Sequence, residues 1–277
     1  MQGGTPRRPA YFDMVKPTYL ENWPLALRVL SVDQVDVPLT VKEAGDLGSN
    51  VSEWSGCSGD PPLRDISSIV AKLEDAMGHF LEGAFVRLGS RSPKDSWLGF
   101  RKGFRCRNAR KAIALLTDAS ERMAEDLQLA IAQDYPPHIF LREWIDIPAW
   151  AEFRCFVRNS QLVGISQYDY VRGMHYPEVD SNHKSVCGII QKFFQQRFWG
   201  ACHLSDVVFD VFVSPTVPGQ LWRVGLLEIN PFLNLTDPCL FSWQDGGDLN
   251  GTFRWIGPEG TAQSEPLGAI VPQEWRR

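Results

Sequence analysis

Two apolar strands near the C-terminal end carry oxygen ligands where hydrophobic side chains belong, and this constrains the chain more than any other feature. The first reads Asp206-Val-Val-Phe-Asp210-Val-Phe-Val, and the second Leu226-Leu-Glu228-Ile-Asn230-Pro231-Phe232. An acid or amide inside an apolar strand is costly to bury unless something pairs with it. Glu228 and Asn230 are two residues apart, so they project from one strand face. With Asp210 they make a set of hard oxygen ligands. Such a set suits magnesium, which keeps waters and shares its shell with substrate phosphates. The competing reading is a pair of edge strands with solvated acids. The Asn-Pro-Phe ending leans towards a nucleotide site.

At 277 residues, one large domain or two small lobes are both open, and 44% hydrophobic content suffices for a core. Net charge is −5 with a pI near 5.6, which argues against a general binder of nucleic acid or membrane surface. The opening residues lack the apolar run of a secretory signal. No stretch reaches the roughly 18 apolar residues of a membrane span. The six cysteines are widely spaced with no CxxC, and the five histidines show no ligand spacing. A reduced, cytoplasmic protein is therefore the expectation.

Residues 27–39 read as a leading helix and a strand, and 45–63 as a loop or flexible insert. Asp65 can cap a helix to about Leu81, with Ile66, Ile69, Val70, Leu73, Met77 and Phe80 at helical spacing and Gly83 beyond its end. Residues 84–88 read as a strand, and Trp97-Leu-Gly-Phe as a second one. Asn108 can cap a helical hairpin over 109–133. Strands follow at 138–144, 153–157 and 161–167, the last two forming an antiparallel hairpin around 158–160. Ser181 can cap a helix through about Phe198, and a Pro/Gly turn at 214–220 joins the two metal-bearing strands. The polar end after Trp243 leaves a last hairpin and a mobile tail equally open. Mixed helix and antiparallel strand favour α+β over a doubly wound sheet.

An ATP site also needs cations for the phosphates. Arg87 lies in the apolar strand Phe85-Val-Arg-Leu88, and Lys94 in a Ser/Gly/Pro loop whose N–H groups could lean over phosphates. Glu152 and Arg154 share one strand face. They read either as an internal salt bridge or as a ribose acceptor and a phosphate donor. Arg142, Glu143 and Trp144 end a strand that could present an aromatic wall to an adenine. No Walker loop, Gly-x-Gly-x-x-Gly or Gly-x-Ser-x-Gly is present. Arg101, Lys102, Arg105, Arg107, Arg110 and Lys111 place six cations in eleven residues. They are either a solvated face or a surface for an anionic protein or RNA.

Taken in order, these stretches resemble the cell division cycle protein 123 family, a divergent branch of the ATP-grasp superfamily. The matching pieces are Phe85-Val-Arg-Leu88 with Ser92-Pro-Lys-Asp95, Leu141-Arg-Glu-Trp144, Ala151-Glu-Phe-Arg-Cys-Phe-Val157 and Gly164-Ile-Ser-Gln-Tyr-Asp-Tyr170. They continue with Val208-Phe-Asp-Val211 and Glu228-Ile-Asn-Pro-Phe232, closed by Asp237 and Leu240-Phe-Ser-Trp243. The resemblance implies an α+β ATP-grasp fold, in which two lobes hold ATP between antiparallel sheets. It implies an N-terminal segment at 1–63, lobes at 64–135 and 136–243, and a polar tail at 244–277. By the same resemblance Asp210, Glu228 and Asn230 are magnesium ligands. Arg87 stands where the family commonly has a phosphate-binding lysine, and Lys94 lies in the loop after it. Arg142 and Trp144 fall beside the adenine, and Glu152, Arg154 and Asp169 on the sheet lining the nucleotide. The function implied is assembly of translation initiation factor 2 through its gamma subunit, with ATP bound. The alternative is an ATP-grasp ligase or nucleotidyl transferase acting on an RNA end or an acidic peptide. On this reading Asp210→Ala removes magnesium-ATP binding and leaves the fold intact.

Overall fold

The chain divides into two units, each organised by one sheet: Met1–Asn22 with Asp33–Ile145, and Trp23–Val32 with Asp146–Arg277. A computed structural model describes residues 8–51, 65–118, 121–171, 173–215 and 222–268. The strands are β1 (Gln34–Pro38), β2 (Ala84–Leu88), β3 (Arg105–Cys106), β4 (His138–Glu143), β5 (Glu152–Arg158), β6 (Gln161–Gln167), β7 (Val207–Pro215), β8 (Trp222–Pro231), β9 (Thr252–Ile256) and β10 (Ala262–Pro266). The main helices are α1 (Arg8–Val15), α2 (Leu25–Arg28), α3 (Val41–Ser49), α4 (Ser67–Met77), α5 (Trp97–Lys102), α6 (Ala109–Thr117), α7 (Glu121–Ala132) and α8 (Pro177–Phe193). Among the described residues no helix is long and apolar enough to cross a membrane.

In the first unit the strands pair antiparallel in the order β1-β4-β2-β3. Alternation along β2 and β4 turns Ala84, Val86, Leu88, Ile139 and Leu141 into one core with Leu47, Leu73, Leu116 and Leu127 of the helices. The apolar spacing of α4 buries Ile69, Leu73 and Met77 as expected, and Asp65 accepts from the Ser67 N–H at 2.9 Å. That helix stops at Met77, short of Leu81. Gly83 makes the turn into β2 at φ +97°, where a Cβ would lie 2.6 Å from the Cys106 carbonyl oxygen. Asn108 caps α6 by accepting from the Lys111 N–H at 2.9 Å.

Two segments of this unit fold otherwise than their sequence predicts. Trp97-Leu-Gly-Phe is helical, because Ser96 accepts from the Gly99 N–H and Asp118 accepts from the Leu98 N–H. Residues 45–49 belong to α3, not to a loop. A capping box starts that helix: Glu43 N donates to Thr40 Oγ1 at 3.1 Å, and Thr40 N donates to Glu43 Oε2 at 2.8 Å. The rest of the 45–63 stretch, beyond Val51, lies outside the described residues.

Glu43 also accepts from Lys72 at 2.8 Å and Ser68 at 2.9 Å. Burial alone would raise its pKa, but these hydrogen bonds outweigh it and hold the carboxyl at about 2. A depressed folded-state pKa gives stability that is present above the ordinary glutamate range and lost as pH falls through it. Urea midpoints of the wild type should therefore fall more steeply than those of Glu43→Gln between about pH 5 and pH 2.5. Parallel curves would contradict this assignment.

In the second unit the order is β10-β9-β6-β5-β7-β8, with β6 and β9 parallel and the other pairs antiparallel. The β5–β6 hairpin turns at 158–160, as the sequence predicts, with Asn159 and Ser160 at positive φ. One face carries Phe153, Phe209 and Phe253. Phe209 stacks on Phe198 with ring centroids 4.0 Å apart, and α8 packs on β8 and β9. The helix expected from Ser181 begins at Pro177 instead, with Glu178 and Asp180 in its first turn, and runs into a π-helical stretch at Phe194–Phe198. Of the two fates open to the polar end, a hairpin forms over β9 and β10. Most of the turn expected at 214–220 lies outside the described residues.

Gly225 pairs across the sheet with Phe212, and a Cβ there would lie 2.2 Å from the Phe212 ring. Gly225→Ala should cost about 1–3 kcal/mol through overpacking, read as a lower denaturant midpoint at unchanged slope. An unchanged midpoint would mean that the ring moves aside freely.

Candidate functional site

Strand register assembles the site of the second unit. Arg154 of β5 is the cross-strand partner of Asp210 in β7, Asp210 of Glu228 in β8, and Val208 of Asn230. Cross-strand partners project to the same face. Arg154, Asp210, Glu228 and Asn230 therefore share one face, together with Glu152 and with Ser166 of β6. The opposite face is the Phe-rich one.

Asp210 is fully buried in an interior strand, which rules out the solvated-acid reading for it. Its Oδ1 accepts from Arg154 Nε and its Oδ2 from Arg154 Nη2, each at 2.8 Å. Asn230 Nδ2 donates to Oδ2 at 3.3 Å. Arg154 is likewise buried, donates from Nη1 to the Asp237 carbonyl at 2.8 Å and lies over the Tyr168 ring, 5.0 Å from its centroid. Burial opposes the guanidinium charge, but Asp210 outweighs it and holds the Arg154 pKa above its ordinary value. The salt-bridge partner of Arg154 is thus Asp210, where the sequence suggested Glu152.

This pairing corrects the expectation that Asp210→Ala leaves the fold untouched, since the variant strands a buried guanidinium. It also bears on what the face can hold. A carboxylate offers about four lone-pair sites. Among the described residues Oδ2 meets two donors and Oδ1 one, which leaves an acceptor site on Oδ1. Glu228 is half-buried on the edge strand, directly across from Asp210. Asp210, Glu228 and Asn230 bring hard oxygen donors together on this face, and that donor chemistry fits a divalent cation. Among the described residues no group of three or more His, Cys, Asp or Glu converges as a metal set. This set is smaller, two acids and an amide.

Asp237, in sequence only part of a motif, is structural to the site. Its carboxylate accepts from Tyr170 Oη at 2.9 Å and from the Cys239 N–H at 2.8 Å, while its carbonyl anchors Arg154. Burial and then Asp237 push the Tyr170 hydroxyl up to about 12. Asp169 lies in the turn after β6, where its carboxylate accepts from Tyr176 Oη at the start of α8. It is not on the sheet.

In the first unit Arg87 pairs with Phe140 and Arg142 with Phe85 across β2 and β4. Register therefore puts both arginines on one sheet face, opposite the helical core. Each is almost fully buried, and Arg87 Nε donates to the Leu88 carbonyl at 3.0 Å. Trp144 follows β4, its N–H donating to the Gly83 carbonyl at 3.3 Å. Lys94 is exposed in the turn before α5.

The chain is 31% identical over 228 residues to the translation initiation factor eIF2 assembly protein of Xenopus laevis, covering 74% of this chain and 65% of that relative. It is 31% identical over 209 residues to cell division cycle protein 123 of Phaeosphaeria nodorum, covering 71% of this chain and 52% of that one. The chain thus spans less than two-thirds of the length of either relative. The structure of Cdc123 from Schizosaccharomyces pombe superposes with a TM-score of 0.67 at 24% identity, covering 84% of this chain and 90% of that one. That likeness supports the α+β, ATP-grasp-like fold with two antiparallel-rich sheets. The D123 family model matches residues 31–260, which takes in both sheets' central strands and Asp210, Glu228 and Asn230, and the chain belongs to that family, the cell division cycle protein 123 family.

Proposed function

We propose that this chain binds ATP with magnesium and acts as an assembly factor for translation initiation factor 2, taking its gamma subunit as partner. The observation that carries the nucleotide half is the oxygen-ligand face, where Asp210, Glu228 and Asn230 meet on paired strands beside Arg154. The partner half rests on the relatives, one of which is named an eIF2 assembly protein.

On this reading Asp210, Glu228 and Asn230 hold the ion. Bound magnesium supplies neutralising charge to phosphate oxygens. Arg154 fixes the Asp210 carboxylate with two parallel hydrogen bonds, so that its free lone pair keeps one direction. Glu152, on the same face, accepts from a ribose hydroxyl. Asp169, held by Tyr176, acts from the neighbouring turn rather than from the sheet. In the first unit Arg87 and Lys94 meet phosphate oxygens, and Arg142 with Trp144 flanks the adenine. Arginine at position 87 offers a planar fork rather than a point charge.

Two measurements check this reading. Arg87→Ala should weaken magnesium-ATP binding by about ten- to a hundredfold, the worth of a charged hydrogen bond. A variant with lower stability and unchanged affinity would make Arg87 structural. Capture of purified initiation factor 2 gamma subunit should depend on magnesium-ATP. Equal capture without nucleotide, or none with it, would contradict the assembly reading. Formation of ADP or AMP on adding an RNA end or an acidic peptide would favour the ligase instead.

A further inference from the structure

The basic run of the first unit takes no part in the site described above. Residues 101–111 carry six cations and no acid in a chain of net charge −5. They occupy the end of α5, β3 and the first turn of α6, elements packed on one another. Arg101, Lys102, Arg107 and Arg110 are exposed. Among the described residues only Arg105 of the six pairs with an acid, Glu82 at 2.8 Å.

Two large aromatics adjoin these cations. Trp97 is 59% exposed and Phe100 68% exposed. With Arg101 they follow the i, i+3, i+4 spacing of one helix face. The helix bearing them is fixed. Ser96 Oγ donates to Asp118 at 2.8 Å, Leu98 N to the same carboxylate at 2.6 Å, and Phe100 meets Phe104 edge-on at 5.8 Å. A single exposed apolar side chain is ordinary. Two aromatics on a fixed helix beside arginines match the residue types that anchor interfaces.

We propose that α5, β3 and the start of α6 form a docking surface for an acidic protein segment carrying an aromatic or aliphatic anchor. Trp97 and Phe100 cover the anchor, and Arg101, Lys102, Arg107 and Arg110 meet the carboxylates. Charge complementarity favours a peptide over RNA. The cations are confined to three short elements, and the rest of the chain is more acidic still. A short acidic segment matches a confined patch. A nucleic acid carries phosphate charge along its whole length and would extend onto acidic surface. The proposal goes beyond the assembly reading, because it names a face and a ligand chemistry whichever subunit is bound.

The test is fluorescence anisotropy on the full chain with three labelled probes: a short Asp/Glu-rich peptide with a central Trp-Leu, the same peptide with Ser-Ser in the centre, and an oligouridylate of equal charge. The Trp-Leu peptide should bind the wild type, more weakly as salt rises. Trp97→Ser with Phe100→Ser, or Arg101→Glu with Arg110→Glu, should each weaken it at least about tenfold. All four side chains are exposed, so circular dichroism should stay that of the wild type. If a pair unfolds, Phe100→Gln with Arg107→Gln replaces it. Absent binding, undiminished binding by folded variants, equal binding of the Ser-Ser peptide, or tighter binding of the oligouridylate would overturn the proposal.

Discussion

Asp210→Ala should lower the free energy of unfolding by about 3–5 kcal/mol, the cost of leaving one member of a buried ion pair without its partner. Arg154 and Asp210 are almost wholly enclosed, at 6% and 1% side-chain exposure, and joined by two hydrogen bonds of 2.8 Å. Removing the carboxylate leaves the guanidinium with the Asp237 carbonyl and the Tyr168 ring, neither of which carries a full negative charge. The same change should abolish magnesium-dependent ATP binding. The two losses separate in a second variant. Arg154→Met with Asp210→Leu replaces the pair by apolar side chains of similar volume, which is often neutral or stabilising. It should recover most of the stability and none of the binding. If chemical denaturation shows the single variant as stable as the wild type, water or another group compensates Arg154, and the pair is not the structural centre of this sheet.

Phe209→Ala should cost about 3–5 kcal/mol, the range for truncating a fully buried aromatic. Phe209 precedes Asp210 and points to the opposite face, stacked on Phe198 at 4.0 Å and near Phe194 at 6.3 Å. Truncation opens a cavity between β7 and the π-helical stretch after α8 without touching an oxygen ligand. Magnesium-ATP affinity of the folded fraction should therefore stay within about threefold of the wild type. A large loss of affinity alongside would mean that the stack sets the geometry of the Asp210 face. A stability change under about 1 kcal/mol would mean that the core collapses around the gap.

Much of the second unit was legible because alternation and ligand chemistry act within a few residues. Glu228 and Asn230 share a face by their spacing alone, and the 153–167 hairpin follows from two apolar runs around Arg158-Asn-Ser. The partner of Arg154 was not legible. Strand alternation offers its neighbour Glu152, whereas register brings Asp210 from 56 positions away. Asp237 was hidden for the same reason, since it reaches Arg154 through a main-chain carbonyl that no side-chain pattern reports. In the first unit Trp97-Leu-Gly-Phe has the aromatic character of a strand. The Ser96 cap and the distant Asp118 carboxylate decide for helix, one a local signal and the other a tertiary one. The start of α8 was readable after all: Pro177 is preorganised for a first helical turn, while Ser181 lies inside the helix.

Calorimetric titration of magnesium-ATP into the wild type and the Arg154→Met, Asp210→Leu variant, with nucleotide products analysed on the same samples, decides whether this sheet face holds the nucleotide. Binding to the wild type should require magnesium, the equally folded variant should not bind, and ATP should be recovered unchanged. Equal affinity in the two proteins, or no binding to either, would contradict the assignment of magnesium-ATP to the face built by Asp210, Glu228 and Asn230.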